Sequence, residues 1–109
     1  MAIFRINKDE YKNKVGELAI YFLDLCSLKS VRNYAKNLLM NEAIIHILIN
    51  NAGIGSTHSL EKTEDRNEIT LQVNHRSHFL LILLLLLKMQ LSSPNCRIIN
   101  VSSIVYMRT

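Results

Sequence analysis

The chain has 109 residues, enough for one domain, with 49% apolar and 20% charged side chains. That balance fills a core and excludes a disordered chain. Thirteen basic against nine acidic side chains leave a charge of +4. The excess is scattered, with no basic run, which excludes a nucleic-acid footprint and fits weak attraction to an anion such as a phosphorylated cofactor. Cys26 and Cys96 each stand alone, without CxxC spacing. They read as reduced core thiols in a reducing compartment, not as a zinc site or a disulfide framework.

Residues 1–16 carry mixed charge (Lys8, Asp9, Glu10, Lys12, Lys14) and little apolar spacing. No element is assigned to them, and their start does not read as a secretory signal. Residues 17–109 form the folded unit. It opens with Leu18–Leu23, LAIYFL, as a short strand leading into Asp24. From Ser27 the period changes: Leu28, Val31, Tyr34, Ala35, Leu38 and Leu39 recur every three or four residues, the spacing of a helix with one apolar stripe. Ser27 suits its N-cap, and Asn41 and Glu42 end it.

Ile44–Asn50 follows as an apolar run closed by Asn51-Ala52-Gly53, which reads as a strand buried on both faces and then a tight turn. On its own, that tetrapeptide from Asn50 to Gly53 is an ordinary strand-to-loop turn. After a polar loop (56–63), Asp65 and Glu68 have capping-box spacing for a second helix. That helix runs through Val73 and Phe79 into Phe79–Leu87, FLLILLLLL, and stops before Ser92-Ser93-Pro94. Nine apolar residues are too few to span a bilayer, which needs about 20. The run reads instead as the buried flank of a core helix. Arg97–Val101 is the last strand, with Ser102 and Ser103 at its carboxyl end. The order β-α-β-α-β, with long crossovers, predicts a parallel α/β sheet.

Four segments in this order resemble the short-chain dehydrogenase/reductases of the retinol-dehydrogenase-like group: LDLCSLKSVRNYAKNLL (23–39), LINNAGI (48–54), the TED…E…QVNH-x-x-HFLL pattern (63–81) and RIINVSS (97–103). The resemblance covers roughly residues 17 to 105. It implies an NAD(P)-dependent oxidoreductase with a Rossmann-type doubly wound sheet, using NADP or NAD and acting on a retinoid, steroid or other lipophilic alcohol or carbonyl. A homo-oligomer contacting through the leucine-rich helix is also implied, while the scattered charge and the nine-residue apolar run lead us to expect no nucleic-acid partner and no transmembrane segment in this chain. The location is cytoplasmic, or at the cytosolic face of an internal membrane.

The same resemblance assigns roles. Asp24 would bond the adenine amino group, a role compatible with the plainer one of capping the helix that follows. Asn51, Ala52 and Gly53 would lie along the cofactor ribose. Asn74 would open its helix locally so that its carbonyl holds a water of the proton relay. Ser103 would be the catalytic serine, its hydroxyl meeting the substrate oxygen as charge develops there. By spacing alone either Ser102 or Ser103 would serve, and only the resemblance selects Ser103. His75 and His78 stand three apart on the helix, within reach of one metal. No third ligand has suitable spacing, and the resemblance makes both of them structural.

Departures from the pattern matter as much. The family's TGxxxGxG phosphate turn and the strand after it are not in this sequence, and no YxxxK follows Ser103; Tyr106 lacks the lysine four residues on. The expectation is a piece shortened at both ends and inactive as it stands. It would hold three strands and two main helices, LAIYFL having moved in beside Ile45–Ile49. The alternative is a non-catalytic interaction module using its uncovered apolar helix and strand edge. Where the family has glycines, this chain has Arg66 or Asn67 before the long helix and Ser77 within it. Ser77 suits close backbone packing, and Arg76 suits solvent.

Overall fold

A computed structural model describes residues 18–55 and 61–103. The expectations for residues 1–16, for most of the loop after Gly55 and for Tyr106 lie outside the described residues. Helix α1 spans Leu28–Asn41, strand β1 Ile47–Asn50, a single helical turn α2 Ile69–Leu71, helix α3 Ser77–Ser92 and strand β2 Arg97–Asn100, with a π-helical turn, Gln72–Arg76, between α2 and α3.

The two strands pair in parallel, Ile47 opposite Arg97 through Asn50 opposite Asn100. Two bonds extend the ladder, from Arg97 N to the His46 carbonyl (2.8 Å) and from Val101 N to the Asn50 carbonyl (3.0 Å). Parallel neighbours need a long crossover, and the helical segment from Ile69 to Ser92 supplies it. The α1 and α3 helices pack together, and Leu25, Val31, Ala35, Val73, Leu81, Leu85 and Met89 form the core between them and the sheet. Leu48 and Ile98 lean onto that core from the sheet.

The start of α1 is built as its sequence indicates. Ser27 Oγ accepts from Ser30 N (3.2 Å), and Ser30 Oγ accepts from Asp24 N (2.9 Å). Asp65, expected to cap the second helix, does something else. Its carboxylate accepts from Leu28 N (2.9 Å), the first residue of α1, where a negative charge complements the helix dipole. The second helix starts at Glu68 instead, whose two carboxylate oxygens accept from Thr70 N (3.0 Å) and Leu71 N (2.7 Å).

Three further expectations are corrected. Leu18–Leu23 is not a strand, and the sheet has two strands among the described residues. A strand needs a neighbour to exchange ladder bonds with, and this segment has none beside it there. It is held by side chains, Tyr21 Oη donating to Glu42 Oε1 (2.7 Å) and the Tyr21 ring meeting Tyr34 edge-on. Second, β1 is covered on one face only: Ile47 and Ile49 are 55% and 58% exposed, because alternate residues of a strand face opposite sides and the helices lie on one side. Third, the leucine run is half buried. Leu81 and Leu85 are in the core, whereas Phe79, Leu83 and Leu87 form an exposed stripe at four-residue spacing. The nine-residue length argument also falls, since Ile69–Ser92 is a continuous 24-residue helical segment long and apolar enough to cross a membrane. Its packing against α1 and its place as the crossover between two paired strands make it a core helix here.

Candidate functional site

Both strands end in asparagine, and these two residues open the site. Asn50 is buried, and its Nδ2 donates to Asn100 Oδ1 (2.9 Å), tying the carboxyl ends of β1 and β2 together. Beyond that tie the chain turns through Asn51–Gly55 on one side and Val101–Ser103 on the other. The cleft between them, about 820 Å³, is closed below by the π-turn and the start of α3. Ligands of open parallel sheets sit in this position, beyond the carboxyl ends of the strands.

The turn after β1 is held from the helix. Asn74 Oδ1 accepts from Ile54 N (2.8 Å), and Asn74 Nδ2 donates to the Ile54 carbonyl (2.9 Å). A Cβ added at Gly53 would stand 3.1 Å from Asn74 Oδ1, so the absence of a side chain there lets turn and helix approach. Four residues on, His78 Nε2 lies 2.7 Å from the Ala52 carbonyl. His75 also borders the cleft, its ring stacked on Phe79 with centroids 6.0 Å apart.

Asn74 reaches the turn from a widened helix. Ser77 N donates back to the Gln72 carbonyl, one residue further than an α-helix allows. Two buried side chains anchor this widening. Ser77 Oγ donates to the Leu25 carbonyl (2.6 Å). Gln72 Oε1 accepts from Thr63 Oγ1 (2.6 Å) and Asn67 Nδ2 (3.0 Å), while its Nε2 donates to Asp65 (3.1 Å) and the Leu25 carbonyl (3.3 Å). Ser77 is therefore more than a tolerated replacement for glycine, since its hydroxyl satisfies a buried carbonyl. Arg76 is exposed and donates to Asn67 Oδ1.

Of the residues singled out from the sequence, Asn51, Ala52, Gly53, Asn74 and Ser103 all line this one cleft, and Ser102 lines it beside Ser103. Asp24 does not. Its Oδ1 accepts from Cys26 N (2.9 Å) in a local turn before α1. Burial first, and then the neighbouring Asp24 carboxylate, push the Cys26 thiol up from its ordinary value. Both cysteines are free thiols. Sequence reasoning missed Thr70, Ile82, Asn100 and the contact of His78. The one available signal was the four-residue step from Asn74 to His78, which puts both side chains on one helix face.

A parallel sheet with its crossover helix, an asparagine-rich turn over the strand ends and a serine pair facing it define a dinucleotide-type α/β architecture. The chain belongs to the short chain dehydrogenase family, which it matches over residues 5–108. It is 43% identical to human retinol dehydrogenase 12 over 93 residues, 85% of this chain and 29% of that protein. With human retinol dehydrogenase 14 the identity is 48% over 92 residues, 84% and 27% of the two chains. Among solved structures, an uncharacterized protein from Mycobacterium paratuberculosis superposes with a TM-score of 0.68 at 31% identity, over 91% of this chain and 33% of that one. A blue fluorescent protein from a metagenomic library, solved in complex with NADPH, superposes with a TM-score of 0.63 at 30% identity, over 79% and 34%. The chain thus spans less than a third of the length of these curated relatives.

Proposed function

We propose that the cleft is the nicotinamide end of an NAD(P)-dependent oxidoreductase site. Its reaction is the exchange of hydride with a retinoid, steroid or other lipophilic alcohol or carbonyl. The observation that carries this reading is the side-chain-free turn at Gly53, clamped by Asn74 and facing Ser103 across one cleft. Asn51, Ala52 and Gly53 would hold the ribose through their backbone, and Gly53 leaves room that a Cβ would fill. The bound nicotinamide would supply or take the hydride.

The chain's own contribution is polar and local. Ser103 Oγ donates a hydrogen bond to the substrate oxygen and stabilises charge that grows there in the transition state. Asn74 fixes the turn and, at its widened helical position, offers a backbone carbonyl for a water of the proton relay. Phe79 and Ile82 give the cleft an apolar wall suited to a lipophilic substrate. Asp24 would meet the adenine edge away from this cleft. Neither TGxxxGxG nor YxxxK occurs in these 109 residues, and we infer that on their own they bind cofactor weakly and without turnover.

The test is a titration of the chain with NADPH and NADH, followed by cofactor fluorescence and thermal melting, together with a retinal-reduction assay. Saturation only toward millimolar cofactor, a small rise in melting temperature and no product are expected. Turnover would overturn the inferred inactivity, and no binding by either cofactor would overturn the site.

A second reading, a non-catalytic interaction module, is favoured by one observation: Phe79, Leu83, Leu87 and Leu91 are all more than half exposed along a single line of α3. A soluble complex that loses affinity on Leu87→Glu, with the cleft unchanged, would support it.

A further inference from the structure

The contact between His78 and the Ala52 carbonyl ties α3 to the turn after β1 and is made outside the hydrophobic core. A carbonyl oxygen only accepts, so the ring nitrogen 2.7 Å from it, Nε2, must carry the hydrogen. In the neutral ring Nδ1 is then bare, and Nδ1 is buried with no hydrogen-bond partner among the described residues. The ring is spending its single donor on the turn.

The peptide between Ala52 and Gly53 is planar and trans, so its C=O and N–H point in opposite directions. Tying the Ala52 carbonyl to His78 therefore directs the Gly53 N–H away from α3. The next peptide is fixed separately, by Asn74 on Ile54 N. Two side chains one helical step apart thus set the two successive peptide planes that flank Gly53.

We propose that His78 is a positioning residue: its Nε2–H holds the Ala52 carbonyl and so orients the Gly53 N–H as a donor to a ribose hydroxyl of the cofactor. The ligand part of this inference rests on the nucleotide reading of the cleft, whereas the clamp itself does not. Losing one such bond should weaken ligand binding by about tenfold. Glutamine reaches as far as Nε2 with an N–H of its own, whereas leucine fills the space without a donor.

The clamp is tested first in the wild-type chain, by long-range ¹H–¹⁵N NMR in mildly alkaline buffer. The expected result is His78 protonated at Nε2 with Nδ1 bare; protonation at Nδ1 would overturn the proposal. The Ala52 carbonyl ¹³C resonance should move upfield in His78→Leu, as a carbonyl does on losing its donor, and return toward the wild-type position in His78→Gln. NADPH affinity should follow the same order while the melting temperatures of the two variants stay alike. An Ala52 carbonyl shift unchanged between His78→Leu and wild type would refute the clamp. A preserved clamp, with NADPH bound equally by His78→Leu, His78→Gln and wild type, would refute its link to the ligand. If the wild type binds no NADPH, the nucleotide reading fails while the tautomer and the Ala52 carbonyl shift still decide the clamp.

Discussion

Asn74 grips Ile54 at both of its backbone groups, accepting from the N–H at 2.8 Å and donating to the C=O at 2.9 Å. A side-chain amide has one acceptor and one donor end, so asparagine can close this two-bond ring where a carboxylate or a methyl cannot. Asn74→Ala should cost about 1 kcal/mol, since water partly replaces both bonds at this exposed site. Asn74→Asp keeps the bond from Ile54 N but sets a carboxylate oxygen against the Ile54 carbonyl, and should be no better. Thermal melts with amide exchange at Ile54 check both.

Gly53 and Gly55 make a matched pair. Alanine at 53 would place a Cβ 3.1 Å from Asn74 Oδ1, an atom already held by its own bond, whereas none of the described residues lies within 4 Å of a Cβ at 55. Gly53→Ala should lower both melting temperature and NADPH affinity. Gly55→Ala should leave affinity unchanged and stabilise by up to about 0.5 kcal/mol, through a stiffer unfolded chain.

Ser77 Oγ and Gln72 Nε2 both donate to the Leu25 carbonyl. Ser77→Ala removes the shorter bond in a fully buried place and should cost about 1–2 kcal/mol. Ser77→Gly should cost more, by loss of helix propensity of about 1 kcal/mol. Urea denaturation midpoints measured side by side give the order wild type, alanine, glycine.

Arg66 has φ of +62°, the left-handed region that favours glycine. Relief of strain there is worth about 1 kcal/mol, offset in part by the added freedom of an unfolded glycine. Arg66→Asn, which tolerates the conformation with less such loss, should raise the melting temperature, and Arg66→Val should lower it.

Glu68 titrates below its ordinary value because the Leu71 and Thr70 amides donate to its carboxylate. Its folded-state pKa is thus depressed, so its contribution is fully present above the unfolded-state value and is lost as pH falls through the folded one. Exchange at Thr70 and Leu71, corrected for intrinsic rates, should gain least protection relative to Glu68→Gln at acid pH and most near neutrality. An equal difference at both would contradict the cap.

Much of this fold is readable along the chain because the signals are local. Ser27 caps α1, Ser92-Ser93-Pro94 stops α3, and the two strands end at Asn50 and Asn100 before small-residue turns. What fails depends on distant neighbours. LAIYFL has strand composition, but a strand exists only when another pairs with it. The burial of Ile47 and Ile49 depends on what covers the far side of the sheet. Asp65 has capping-box spacing to Glu68, yet folding brings it to Leu28, thirty-seven residues away, where the same carboxylate does the same work for another helix. His78 reads as structural from the sequence, and only the approach of the Ala52 carbonyl gives it a target.

The central claim is that the cleft over the strand ends receives the nicotinamide end of the cofactor. Mapping NADPH onto the ¹⁵N-labelled chain by amide chemical shifts tests it most directly. The account predicts that residues 51–55, Asn74 and 100–103 shift together along one titration curve. Shifts absent there, or confined to the smaller hollow at Phe22, Tyr34 and Asn37 beside α1, would contradict it.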